Sequence, residues 1–150
     1  MSDLGDLYQE VILEHKRHPR NHRPMPDASR DVDGHNPLCG DHIHLHVKLK
    51  GDTIEDVSFE GAGCAISTAS ASMMTERVKG MQRAEALTLF TAVHRLLTGN
   101  DAGSDPATLG KLAIFAGIRN YPSRVKCASL SWHTLNAALQ DDGESVVTTE

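Results

Sequence analysis

The chain has 150 residues and a formal charge of −5 with histidine neutral, which is the length of a single domain. This acidic balance argues against a general nucleic-acid binder, because phosphate contacts require a basic face. The apolar runs are only a few residues long, so no segment is expected to span a membrane. Residues 1–6 are acidic and lack the apolar region of a secretion signal, and a cytoplasmic location is the default expectation.

The first half of the chain predicts one helix followed by a small antiparallel sheet. Residues 42–49 alternate strictly, with histidines and Lys48 on one face and aliphatic residues on the other, which is typical of a half-buried strand. Gly51 and Asp52 then favour a tight turn into a returning strand. The predicted elements are a helix over residues 6–18 and strands near 30–34, over 42–49 and over 53–59.

The second half changes period after Cys64 and is predicted to be helical. Asp105 is expected to cap a helix whose first position is Pro106. The predicted helices cover residues 65–79, 82–97, 105–118 and a last segment that begins near Cys127. The polar tail from about residue 141 is expected to be disordered. Residues 1–150 are therefore expected to form one α+β domain.

A locally basic stretch, residues 15–23, stands out in the acidic chain. Cations near a helix C-terminus interact favourably with the helix dipole, so a helix end followed by a solvated loop would explain it. The alternative interpretation is a contact surface for an acidic protein partner.

All three cysteines lie at predicted junctions between elements. Cys39 precedes the long strand, while Cys64 and Cys127 are predicted to open helices, where free N–H groups favour a thiolate. An odd number of cysteines cannot all form disulfides within one chain, and thiols at such junctions are typical of metal ligands or reactive groups. Together with Asp41, which only Gly40 separates from Cys39, they make a four-ligand set suitable for zinc.

Four segments together indicate a family: LYQEVILEH at 7–15, NPLCGD at 36–41, FEGAGCAIS at 59–67 and RVKCA at 124–128. They resemble the U-type iron–sulfur cluster assembly proteins. The likeness extends over roughly residues 6–140. It implies a three-stranded antiparallel sheet packed against helices, a PLP-dependent cysteine desulfurase as partner, and downstream iron–sulfur assembly machinery. Neither a nucleic-acid nor a membrane partner is expected.

Within this family, the chain resembles the SufU branch more than the IscU-like scaffold branch. Scaffold proteins usually carry a ligand histidine directly before the last cysteine, where this chain has Lys126. They also have a shorter stretch between the second and third cysteines. The run SASMM at 70–74 and Arg124, three residues before Cys127, look like the SufU branch, which resembles zinc-dependent sulfurtransferases more than cluster scaffolds.

The resemblance also implies a ligand set and a mechanism. The implied Zn²⁺ ligands are Cys39, Asp41, Cys64 and Cys127. A side chain of the desulfurase would enter the zinc shell and release Cys39, whose thiolate would attack the terminal sulfur of the enzyme's persulfide. Arg124 would stabilise the thiolate or persulfide, or is an ordinary surface arginine. The alternative function is a scaffold that assembles a [2Fe–2S] cluster on the same ligands.

The histidines at 42, 44 and 46 have two interpretations. They form the polar face of a strand, or they provide a second metal site beside Asp41. A metal-dependent hydrolase built on this strand is disfavoured, because no H-E-x-x-H or comparable motif supplies a general base.

Overall fold

The structure is a computed structural model that describes residues 3–37, 40–99, 109–118, 120–139 and 146–148. In chain order its elements are α1 (Asp3–Arg17), β1 (Arg30–Asn36), β2 (Asp41–Lys50), β3 (Thr53–Ala62), α2 (Ala65–Val78), α3 (Arg83–Thr98), a 3₁₀ helix (Gly110–Ile118), α4 (Pro122–Leu139) and β4 (Val146–Thr148). None of the described helices is long and apolar enough to cross a bilayer.

The sheet has the strand order β3-β2-β1-β4, and its first three strands are antiparallel. Leu45 in β2 lies opposite Val32 of β1 and Phe59 of β3, and all three side chains are buried. The apolar half of the alternating pattern therefore faces the helices, as the sequence predicts. The α+β fold with an antiparallel sheet of three long strands is confirmed.

The two outer strands of the antiparallel core, β3 and β1, each have a further backbone partner. On β3, the N–H of Phe59 donates to the carbonyl of Asn21 at 3.0 Å, and the N–H of Ile54 donates to that of Met81 at 2.8 Å. On β1, residues 33–35 pair in parallel with β4.

The pairing of β4 differs from the expected disorder of the tail. Val146, Val147 and Thr148 are β-branched residues, which suit a strand, and β1 offers them an unpaired edge. The rest of the tail, residues 140–145 and 149–150, lies outside the described residues.

The helices cover the apolar face of the sheet with a mainly aliphatic core. The largest fully buried side chains are Trp132, Phe115, Leu45, Ile54, Met74, Leu89, Leu97, Leu112, Ile118, Leu130, Leu135 and Leu139. Met73, next to Met74, is also buried. Helix α3 ends at Gly99, whose φ of 77° is left-handed, a common way for a helix to end.

The last helix begins at Pro122, not near Cys127 as predicted. Proline is well suited to the first turn of a helix, because its missing N–H has no intrahelical partner there. Cys127 therefore lies in the second turn of α4. The predicted start at Asp105 and Pro106 lies outside the described residues, and the 3₁₀ helix ends at Ile118 as predicted.

Helix α4 packs closely against the sheet at Gly34 in β1. A Cβ atom at this position would lie 2.2 Å from Thr134 Oγ1 and 3.1 Å from Leu130 Cδ1. Only glycine therefore allows this contact without movement. The close packing holds the first half of α4, with Cys127, beside the end of β1.

Candidate metal centre

Three of the predicted ligands converge at one end of the sheet. Asp41 begins β2, Cys64 precedes α2 and Cys127 lies in α4, and one ligand atom from each lies within 4.8 Å of the others. Cys39, the fourth predicted ligand, lies outside the described residues. The chain thus brings together groups that are separated by up to 86 residues in sequence.

Asp41 is fixed by a backbone hydrogen bond and by close packing. Its side chain is buried, and Oδ1 accepts the N–H of Cys64 at 2.8 Å. A Cβ atom on Gly63 would lie 2.9 Å from the same oxygen, so a glycine there lets the carboxylate approach the turn. Gly40, before Asp41, has a φ of +72°, a conformation that favours glycine.

Cys64 is the N-cap residue of α2. Its Sγ accepts the N–H of Ser67 at 3.4 Å and lies 3.9 Å from Asp41 Oδ2. The N-terminus of a helix carries a partial positive charge, which stabilises a negatively charged sulfur or a bound anion. The prediction that Cys64 opens a helix is confirmed.

Cys127 is buried within α4, only 4% exposed. Since the helix begins at Pro122, the prediction that Cys127 opens the helix is wrong, and its sulfur does not benefit from free N–H groups of the first turn. It has a side-chain partner instead: Asn36 Nδ2 lies 3.5 Å from Cys127 Sγ.

Asn36 links two of the candidate ligands and was not singled out from the sequence. Its Nδ2 also lies 3.5 Å from Asp41 Oδ2. The residue is fully buried, and its Oδ1 accepts no hydrogen bond from the part of the chain that the structure describes. An amide that donates to ligand atoms orients them, and such outer partners are a common feature of metal sites. The sequence signal that could have identified Asn36 is its position in the NPLCGD segment, which also contains Cys39 and Asp41.

The donor set fits a zinc ion. Two sulfurs and one carboxylate oxygen are brought together in a largely buried site, with an amide N–H group directed at two of them. Thiolates with one further nitrogen or oxygen ligand are typical of tetrahedral zinc sites. The three described groups leave one position of such a site to be filled.

Arg124 lies in the first turn of α4 and is exposed. Its guanidinium carbon stacks over the ring of Tyr121, 4.9 Å from the centroid. This cation–π contact holds the side chain at the start of the helix. The predicted role of Arg124 beside a reactive sulfur stays a prediction.

Comparison with known proteins agrees with the fold. The family of the NifU-like N terminal domain matches residues 7–128. The chain belongs to this family. The predicted resemblance to U-type assembly proteins is thereby confirmed.

Two curated relatives cover most of the chain. Over 134 residues it is 43% identical to the zinc-dependent sulfurtransferase SufU of Bacillus subtilis, covering 89% of this chain and 90% of that protein. Over 142 residues it is 40% identical to the iron-sulfur cluster assembly scaffold protein IscU of Streptococcus pyogenes, covering 93% and 87%.

Solved structures share the fold. The SUF-system protein FiSufU of Fervidobacterium islandicum superposes with a TM-score of 0.84 at 37% identity, covering 90% of this chain and 98% of that one. An N-terminal NifU-like protein of Brucella abortus gives a TM-score of 0.78 at 23% identity, covering 87% and 90%, and supports the fold alone.

Proposed function

We propose that this protein is a zinc-dependent sulfurtransferase of iron–sulfur cluster assembly that accepts persulfide sulfur from a PLP-dependent cysteine desulfurase. The observation that carries the proposal is the convergence of Asp41, Cys64 and Cys127 at the end of the β1–β2 hairpin that contains Cys39. The high identity to a relative named as a zinc-dependent sulfurtransferase supports it.

The proposed zinc ligands are Cys39, Asp41, Cys64 and Cys127. Asn36 and Asp41 are directly paired across the hairpin, and Cys39 lies between them in sequence, which supports its inclusion in the set. When bound, Zn²⁺ would stabilise the thiolate form of its cysteine ligands. Asn36 would hold Asp41 and Cys127 in position through its two N–H groups.

Cys39 is the proposed sulfur acceptor. Its thiolate would attack the terminal sulfur of a desulfurase persulfide, forming a new S–S bond while the bond to the desulfurase cysteine breaks. The desulfurase cysteine leaves as a thiolate and Cys39 carries the persulfide, so no external oxidant or reductant is required. Cys64 and Cys127 suit a holding role instead, because one caps α2 and the other is buried in α4.

Arg124 is proposed to stabilise the negative charge of the thiolate or persulfide at Cys39. Its position three residues before Cys127 and its exposed side chain support this role. The stacking on Tyr121 would hold the guanidinium in place as the partner docks.

The alternative function is a scaffold for a [2Fe–2S] cluster on the same cysteines. The 40% identity to a relative named as a scaffold favours it. Lys126, in the position before Cys127, favours sulfur transfer, because lysine is not a ligand for such a cluster, whereas histidine is.

The deciding experiment measures both metal content and persulfide. Protein purified without oxygen is expected to contain one zinc per chain and no visible chromophore. After incubation with a cysteine desulfurase and free cysteine, it is alkylated, digested and analysed by mass spectrometry. The peptide that contains Cys39 should gain the mass of one sulfur atom, and Cys39→Ser should abolish this gain.

Two outcomes would contradict the proposal. Iron with inorganic sulfide, a visible chromophore and no persulfide would support the scaffold function. A persulfide confined to Cys64 or Cys127 would exclude Cys39 as the acceptor.

A further inference from the structure

A strip of histidines and carboxylates crosses the face of the sheet that points away from the helices. In the register of β1 and β2, Asp31 lies opposite His46 and Asp33 lies opposite His44. Glu60 of β3 flanks the strip on the other side and is also opposite His44. Along β2, His44 and His46 lie about 10 Å and about 17 Å from Asp41, from the rise of an extended strand.

We propose that Asp31, His44 and His46 form a second metal site, which takes a divalent transition-metal ion such as zinc. One ligand atom from each residue lies within 4.8 Å of the other two. The nitrogens that face Asp31 are Nδ1 of His46, which is in contact with Asp31 Oδ1, and Nε2 of His44, 3.6 Å from the same oxygen.

The other nitrogen of each histidine is held by a separate carboxylate. Nδ1 of His44 contacts Asp33 Oδ1, and Nε2 of His46 lies 2.9 Å from Glu60 Oε1. Histidines that bind a metal through one nitrogen commonly donate the other N–H to a carboxylate, which fixes the ring and raises its basicity. Both histidines of the strip show this arrangement, which distinguishes them from a merely polar strand face.

Burial and charge support a bound cation. The side chain of His46 is only 8% exposed, so it is not the solvated residue that a polar strand face predicts. Three carboxylates, those of Asp31, Asp33 and Glu60, contact the two histidine rings. A divalent ion between neutral imidazoles would offset part of this concentrated negative charge.

The donor set indicates which ion would bind and how. Two imidazole nitrogens and one carboxylate suit zinc, cobalt, nickel and ferrous ions, in contrast to the sulfur-rich centre at Cys64 and Cys127. Asp31 and His44 are 51% and 37% exposed in their side chains, so the ion would reach the site from solvent. Three protein ligands leave a coordination position open, and the site would bind an exchangeable ion.

The experiment uses the full chain with one equivalent of zinc already bound, and titrates it with Co²⁺. We expect one further Co²⁺ per chain, with visible d–d bands and without the near-ultraviolet charge-transfer band that sulfur ligands produce. The same stoichiometry is measured independently by equilibrium dialysis and elemental analysis.

Four variants locate the second ion. Asp31→Asn and His44→Gln each remove one ligand at a partly exposed position and should abolish binding of the second Co²⁺. Glu60→Gln should weaken it by about 10- to 100-fold, since it alters an outer partner of His46. His35→Gln is the matched control, because His35 lies on the same face of the sheet, in β1 opposite His42, and is neither one of the three ligands nor one of the carboxylates that hold them, and it should bind the second Co²⁺ normally. Circular dichroism confirms that each variant is folded.

Three results would overturn the proposal. The first is that no second Co²⁺ binds. The second is that Asp31→Asn and His44→Gln bind the second Co²⁺ as the wild type does. The third is a charge-transfer band, which would place the cobalt at the sulfur centre. In the first case the strip is a ladder of ion pairs between histidine and carboxylate. The persulfide assay at Cys39 does not depend on this site, so its outcome and that of the proposed function remain distinguishable.

Discussion

A single methyl group at Gly34 tests how closely α4 must pack on the sheet. In Gly34→Ala, the new Cβ would lie 2.2 Å from Thr134 Oγ1, 3.0 Å from Ile43 Cγ2 and 3.1 Å from Leu130 Cδ1. Ordinary contacts begin at 3.4 Å. Either the Thr134 side chain must rotate, which breaks its hydrogen bond to the carbonyl of Leu130, or α4 must move away by about 1 Å.

The expected cost is at the upper end of that seen for overpacked cores, about 3 kcal/mol of unfolding free energy. Two elements crowd the new methyl group at once, and none of the three contacts is a long flexible side chain. Because α4 also carries Cys127, the same displacement should weaken zinc binding. Urea unfolding and a competitive zinc titration measure the two effects.

Matched variants separate this clash from other effects of the substitution. Gly117→Ala places its methyl group where nothing lies within 4 Å, and it should change the unfolding free energy by less than about 0.5 kcal/mol. Thr134→Ala removes the oxygen that clashes, so the double variant with Gly34→Ala should be at least about 1 kcal/mol more stable than the two single effects predict. Thr134→Ser keeps the oxygen and should give less rescue. A Gly34→Ala protein as stable as the wild type, with unchanged zinc affinity, would refute the reasoning.

Three further predictions concern the metal centre and pH. Removing zinc with a chelator should lower stability by several kcal/mol, because metal binding contributes to folding, and an unchanged melting temperature would exclude a structural role. Cys64→Ser and Cys127→Ser should lose more zinc and more stability than Asp41→Ala, since three thiolates and a water still complete a tetrahedral site; equal zinc loss by elemental analysis would reject this ranking. Burial lowers the pKa of His15, whose Nδ1 lies 2.7 Å from Ser72 Oγ. The unfolded chain therefore binds protons more readily, and stability present above the ordinary pKa of about 6.5 should be lost as the pH falls below it. In urea unfolding, His15→Gln should lose less unfolding free energy on acidification than the wild type does. An equal loss in the two proteins would contradict this prediction.

Local patterns made much of the fold predictable. The strict alternation over residues 42–49 determines which face of β2 is buried, and the change of period after Cys64 marks the start of α2. These signals need only neighbouring residues. The position of Pro122 misled the prediction, because a proline that ends one segment can equally begin the next.

The parts that could not be predicted depend on contacts between distant segments. The pairing of β4 joins residue 148 to residue 35, and three residues are too few to show a period. Asn36 and His46 are buried only because other elements cover them, Asn36 between Asp41 and Cys127 and His46 between Asp31 and Glu60. A sequence pattern can identify cysteines as ligands, but it does not show which polar side chain will be enclosed beside them.

The partners of the two outer strands affect how the protein behaves in a concentrated solution. Strands with free N–H and C=O groups can join the sheets of other molecules and so begin aggregation. Here β4 occupies the edge of β1, and the segment around Asn21 occupies part of the edge of β3. The three residues of β4 therefore cover only residues 33–35 of that edge, and they can do so only after the end of the chain has been synthesised.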